Sequence, residues 1–348
     1  MDETKHMQPR IAKRKKLGLF LLPVAIFAAA GACTLAQILD PTSTVPPDPG
    51  VVEPVSDLYK DPQPVQINGY REDMMEPFIT GDGKYLLFNN SNASHADTHI
   101  HLCKRVGAFE FNHLGLLPGS VSKSKDMAPS VDANGNMYYT CLKSFEKDGH
   151  SIYTGRFFDG KLTDVGLPKG DISPHKPAEI NMDCDASKDG NMLILSRAHF
   201  ANALLPPDRS DLVLATKSGG MFRVESGQAG LLSNQNTTAL EYAPCLSADG
   251  LELFFTRAGK LSKADARRKF DDPHDKSNDR EVYFRIMVAR RKNTADPFGK
   301  PSALGALAGF VEAPTITDDK KEMFYHKKMG DQFRIFRAVR NSAATEKF

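Results

Sequence analysis

The chain has 348 residues, 41% of them hydrophobic and 25% charged, enough to bury a large core in one or two domains. Its formal charge is +2, yet six Lys/Arg and two acidic residues fall in the first 32 positions, and the remainder carries 39 basic and 41 acidic side chains. A near-neutral body gives no support to nucleic-acid binding, and five cysteines without CxxC or Cys/His ligand spacing give none to a zinc site.

Residues 13–16, KRKK, precede an uncharged apolar run from Leu17 that ends AAAGAC at Cys33. A basic stretch, an apolar stretch and small residues at the exit describe an export signal over residues 1–39. AGAC resembles a bacterial lipoprotein cleavage box with Cys33 as the lipidated residue. A retained anchor is the rival, because the uncharged run continues to Leu39 and about 20 residues span a bilayer. Simple secretion is the third reading. All three place the body outside the cytoplasm, at the periplasmic face of the envelope, and the first two tether it to the membrane. Residues 40–56, rich in proline, read as a semi-extended linker.

From residue 57 to the end, one unit recurs. EPFITGDGKYLLFNN from Glu76, APSVDANGNMYYTCL from Ala128, DCDASKDGNMLILSR from Asp183, YAPCLSADGLELFFT from Tyr242 and APTITDDKKEMFYHK from Ala313 align on a central turn. Each reads as a short strand, an Asp-Gly-type turn supplying the positive φ of a two-residue hairpin, and a strand rich in Phe, Tyr, Leu and Met. The fifth copy has Asp319-Lys320 in place of the Gly pair, so its turn is strained or lengthened. The turns are 52, 55, 60 and 70 residues apart, the spacing of four-stranded propeller blades with loop insertions.

Four strands per repeat can be placed. The first takes Pro77–Thr80, Tyr85–Asn89, Thr98–Lys104 and Phe109–His113. The second takes Pro129–Val131, Met137–Cys141, Ser151–Arg156 and Lys161–Val165. Later third strands are Asp211–Thr216, Val282–Arg290 and Phe333–Val339. Too little chain follows Val339 for a fourth strand, so Pro62–Tyr70 is expected to complete the fifth blade and spare the ring an open edge. The fold class is all-β: a five-bladed β-propeller of four-stranded antiparallel blades, closed by an N-terminal strand.

The unit P-x-[ILV]-[ST]-x-D-G-x-x-[ILM]-x-[FY] resembles the WD-like propeller repeat of TolB-type periplasmic proteins. That resemblance covers about residues 60 to 340 and implies a propeller of envelope-lipoprotein type that binds proteins. TolB-type propellers have six blades and an extra amino-terminal domain, so a partnership with the Tol system is not implied. Five-bladed propellers built on other repeats include arabinanases.

In such a ring the innermost strand lines the channel, and the connections into it share one face, the mouth, with those between second and third strands. Glu76, Asp126, Asp183, Glu241 and Glu312 fall within three residues of one another's equivalent places just ahead of the innermost strands. His95, His99, His150, His175, His199 and His274 fall in connections on the same face. Three readings are open: solvated or ion-paired loop residues; a surface recognising an envelope protein or glycan, with Glu76, Asp126, His150, Asp183, Glu241 and Glu312 as contacts; or a glycosidase using Glu76, Asp183 and Glu312. The absence of Trp weighs against a sugar-stacking site. No catalytic motif, cofactor or metal site is expected, His95 and His99 lying in a loop rather than on a helix. Cys184 and Cys245, at matching repeat positions, are expected as buried thiols, with a disulfide as the alternative. The largest insertions, His199–Asp208 and Gly259–Arg280, rise on the mouth face as solvated loops or partner-docking arms.

Overall fold

The computed structural model describes residues 53–92, 97–120, 125–201, 206–225, 230–260 and 282–344. Cys33, His95, His274, residues 202–205 of the first insertion and nearly all of the second lie outside the described residues, as does the apolar run from Leu17. No described helix is long and apolar enough to cross a membrane.

Three short strands come first: β1 (Val55–Ser56), β2 (Tyr59–Pro64) and β3 (Gln66–Asn68). Blade 1 is the meander β4 (Met75–Ile79), β5 (Tyr85–Asn89), β6 (Ile100–Arg105) and β7 (Glu110–Leu116). Blade 2 is β8 (Asp126–Val131), β9 (Asn136–Cys141), β10 (Ile152–Phe158) and β11 (Lys161–Gly166), with the one-turn helix α1 (Phe145–Asp148) between β9 and β10. After β12 (Gly170–Asp171), blade 3 follows as β13 (Glu179–Ala186), β14 (Met192–His199), β15 (Arg209–Ser218) and β16 (Met221–Val224). Blade 4 is β17 (Leu240–Leu246), β18 (Glu252–Lys260), β19 (Val282–Arg290) and β20 (Ser302–Leu304). The last meander is β21 (Val311–Ile316), β22 (Glu322–Met329) and β23 (Gln332–Arg340). Blades 3 and 4 are joined into one hydrogen-bonded sheet by the single pair Ser210 and Leu240.

The innermost strands touch in a closed cycle, β4 to β8 to β13 to β17 to β21 and back to β4, which makes a ring of five blades. Apolar cores fill the junctions. Tyr59, Phe254, Ile286 and Met323 pack between blades 4 and 5, and Phe78, Leu87, Tyr139 and Phe157 between blades 1 and 2.

Closure comes from the N-terminal side, as expected, but the segment involved is divided. Tyr59–Pro64 pairs antiparallel with β23 and completes blade 5, whereas Gln66–Asn68 pairs in parallel with β7 on blade 1. Val65 bridges the two, donating its N–H to Ile335 O at 2.8 Å. Val55–Ser56, inside the expected linker, already pairs in parallel with β20. One strap of chain therefore stitches blades 4, 5 and 1.

The central turns are longer than a two-residue hairpin. Only their last residue is left-handed, Gly83, Gly135, Gly190 and Gly250 at φ +70 to +76. Lys320 takes the same conformation at φ +59, so the copy without glycine keeps its turn length and bears the strain. The preceding Ser/Thr and Asp explain the motif. Asp82 Oδ1 accepts from the Thr80 hydroxyl at 2.6 Å and the Lys84 N–H at 3.0 Å, and Ser187/Asp189, Ser247/Asp249 and Thr317/Asp319 repeat the arrangement. The turn carboxylates are structural.

Candidate functional site on the ring axis

Each innermost strand is interrupted by a bulge just where it faces the axis. In blades 1, 2, 4 and 5 the register shifts across Glu76-Pro77, Ala128-Pro129, Ala243-Pro244 and Ala313-Pro314. Proline has no N–H to give a ladder, so it belongs at a bulge. The residue before it is left-handed each time, at φ +48 for Glu76, +49 for Ala128 and Ala243, and +54 for Ala313. Blade 3 has Cys184 instead of proline; its register shifts at Met182, and Asp183 keeps an ordinary backbone.

The freed N–H of the bulge reaches the neighbouring blade. Ala128 N–H donates to Asn89 Oδ1 at 3.3 Å, Ala243 to Ser196 Oγ at 3.0 Å, Ala313 to Thr256 Oγ1 at 3.0 Å and Glu76 to His326 Nδ1 at 3.0 Å. Four acceptors thus stand six residues past the turn, each holding the next blade. At the irregular junction Cys141 occupies that place, and Thr140 donates to Met182 O at 2.5 Å instead.

His326 has a second task. Because Glu76 supplies a donor, Nδ1 must accept, so Nε2 carries the proton and donates to Glu312 Oε2 at 2.9 Å. Glu312 Oε1 accepts from the Tyr242 hydroxyl. Glu76 Oε1 accepts from Asn92 Nδ2 at 2.7 Å, while its Oε2 is buried with no partner among the described residues. Asp183 Oδ2 accepts from Ala243 N–H at 3.2 Å.

The three carboxyls expected as a group, Glu76, Asp183 and Glu312, are brought within electrostatic reach of one another. Burial, then repulsion from Asp183, raises the Glu76 carboxyl well above the usual range. Burial raises Asp183 to about 6 against the opposing Ala243 N–H and Ser196 hydrogen bonds. Below them Asp185 accepts from Ser130 Oγ and Leu246 N–H, each at 2.6 Å, and burial raises it too to about 6. Lys188 pairs with Asp318 at 2.6 Å near the turn end of the axis. The cavity lined by Glu76, Asp183 and Asp185, with the bulge prolines and alanines, measures about 40 Å³, room for a few waters.

The other expected contacts stand apart. Asp126 is fully buried beside Tyr139 in blade 2 and does not line the axial cavity. Glu241 accepts from Arg257 Nε at 2.8 Å and from Thr237 Oγ1 at 2.6 Å, and Arg257 also grips Glu53 at the start of the strap. Burial raises Glu241 to about 7, opposed by Arg257. His150 lies on the mouth, its Nδ1 2.8 Å from Ser173 Oγ. His199 pairs with Asp208 at 2.8 Å. Cys184 and Cys245 are free, buried thiols lining the cavity. Tyr242, His326, Asn92 and Asp185 were not expected. The one signal for His326 is a polar residue recurring six past the turn in otherwise apolar strands. Among the described residues no three His, Cys, Asp or Glu side chains converge to hold a metal.

No family model and no curated protein matches the chain. Among solved structures it is similar to a putative glycoside hydrolase from Bacteroides ovatus, at 13% identity over 85% of this chain and 96% of that one, TM-score 0.46. It is similar to an arabinanase from Bacillus subtilis at 14% identity over 78% and 94%, TM-score 0.46. It is also similar to TolB from Acinetobacter baumannii at 11% identity over 77%, TM-score 0.39, and there it spans 54% of the longer chain. These are likenesses of fold alone, and by its own strand pairing the chain is a β-propeller.

Proposed function

We propose that the protein is an exported, membrane-tethered propeller, built on a TolB-type repeat, that binds a protein or glycan of the cell envelope at its mouth face without catalysis. The observation that carries this reading is the state of the axis. Three of its four carboxyls, Asp183, Asp185 and Glu312, hold neighbouring blades together around a cavity of about 40 Å³, whereas small-molecule sites run to roughly 300–1,000 Å³. Glu312 is engaged by two donors, and the Glu76 backbone is itself a blade clasp.

A photo-crosslinker placed at the exposed Lys147 on the mouth, compared with one at Phe158 on the opposite face, 83% exposed, tests this in intact cells. Adducts from the mouth position alone are expected. Adducts from the far face alone, or cleavage products from a labelled oligosaccharide panel, overturn the reading. Cys33→Ala tests the tether: a lipoprotein moves to the soluble fraction, and a protein held by a retained anchor does not.

One observation favours a second reading, a carbohydrate-active hydrolase. Glu76 and Asp183 come from different blades, interact, and are both raised, Glu76 keeping an unpartnered oxygen. Acid and base partners in hydrolases are set apart by such environments. The triple variant Glu76→Gln, Asp183→Asn, Glu312→Gln abolishes turnover if this reading is right.

A further inference from the structure

Neither the ring nor the axial network uses a pair of imidazoles at the junction of blades 2 and 3. His150 ends the β9–β10 connection, and His175 lies between β12 and β13. The rings are 6.5 Å apart, centre to centre, and inclined at 78°. Each is held by one nitrogen. His175 Nε2 lies 2.7 and 2.8 Å from the two oxygens of Asp171, and His150 Nδ1 lies 2.8 Å from Ser173 Oγ. A carboxylate only accepts, so His175 Nε2 carries the proton and Nδ1 keeps its lone pair. Nδ1 of His175 and Nε2 of His150 have no protein partner among the described residues.

The segment carrying Asp171, Ser173 and His175 is firmly placed. Gly170 and Asp171 pair with Phe222 and Arg223. Ile172 O accepts from Asn181 Nδ2 and from Arg197 Nη2, each at 2.9 Å. Pro174 precedes His175, which is left-handed at φ +52. An imidazole tied at one nitrogen to a carboxylate is the usual form of a metal ligand, because that bond fixes the tautomer and raises the basicity of the other nitrogen.

We propose that His150 and His175 form a two-imidazole site for a divalent transition ion of zinc, copper or nickel type, with Asp171 and Ser173 positioning the rings and water completing the coordination. Imidazole suits these ions, whereas calcium and magnesium prefer oxygen ligands. Zinc held about 2.0–2.1 Å from each nitrogen brings two ring centres to roughly 5–6 Å. The observed 6.5 Å closes with about an ångström of movement by the exposed His175 side chain. With two protein ligands the ion exchanges freely, unlike one in a buried structural cage.

The test is a calorimetric titration of the metal-free full chain with zinc at pH 7.5. His150→Ala and His175→Ala are each expected to weaken one saturable event at least ten-fold, Asp171→Asn about 10- to 100-fold, and His199→Ala not at all. Thermal melts in chelator confirm that each variant is folded. The two histidine ring-proton resonances that move with zinc should be those missing from the His150 and His175 variants. A titration with no saturable event, or one unchanged in His150→Ala and His175→Ala, overturns the site.

Discussion

The backbone N–H of Glu76 donates to Nδ1 of His326 at 3.0 Å, joining the first blade to the last across 250 residues of chain. It is the same clasp that Ser196 makes to Ala243 and Thr256 to Ala313, with an imidazole where those junctions use a hydroxyl. The imidazole adds a second arm, to Glu312.

Replacing His326 by alanine strands two buried groups, the Glu76 N–H and Glu312 Oε2, at a position 1% exposed. A loss of about 2–4 kcal/mol in unfolding free energy is expected. His326→Thr, which restores the hydroxyl acceptor of the other junctions, should recover part of it. A urea midpoint unmoved by His326→Ala would remove the clasp from the account.

The pH dependence of stability carries opposite signs from two places. Asp183 is raised to about 6 on folding, against about 3.9 in the unfolded chain. Its contribution is full below about 4 and lost as pH rises through about 6. Asp183→Asn should therefore gain on the wild type between pH 4 and 6 and hold that gain at higher pH. His101 runs the other way. Burial, then the neighbouring His113, lowers it to about 4, so its contribution is present above about 6.5 and lost as pH falls. His101→Asn should gain on the wild type as pH drops from 6.5 to 4. Chemical denaturation at five or six pH values resolves both slopes, and parallel curves for either variant and wild type refute that assignment.

The left-handed alanines of the bulges are open to improvement. An L-residue in that region costs about 1–2 kcal/mol, and glycine returns part of this to the unfolded chain as entropy. Ala243→Gly and Ala313→Gly should each stabilise by up to about 1 kcal/mol. Destabilisation in both would mean that their methyl groups, which line the cavity, matter more than their backbone.

Removing residues 1–52 should leave a monomeric, cooperatively folding domain, whereas removing residues 1–64 takes away β2 together with the buried Leu58 and Tyr59. The shorter protein bares the β23 edge and one side of the apolar core between blades 4 and 5. Size-exclusion chromatography should find it aggregated. A soluble monomer would show that the strap is dispensable for closing the ring.

The meanders were legible because they are local. Asp-Gly turns and strand alternation are written in adjacent residues, and Val282–Arg290 was placed at its observed bounds. The short parallel strands β1, β3 and β12 have no such signal, being defined by partners far away in sequence. Axial position was only partly readable, because strand faces alternate and a bulge resets the count. Glu76 stands at the bulge itself, Asp183 one residue after it and Glu312 one residue before it. Asp126 and Glu241 stand two before, where the side chains turn into the blades. Each had looked equivalent by proximity to the repeat.

The strap has a consequence for biosynthesis. Tyr59–Pro64 is made early, and its partner β23 roughly 280 residues later, a wait of about 15–55 s at ordinary translation speeds. During that interval the first finished segment is a bare ribbon, while the blades after it can already form one by one. Assembly therefore finishes on a strand made before any blade, and anything that covers this ribbon in the meantime governs whether the circle shuts.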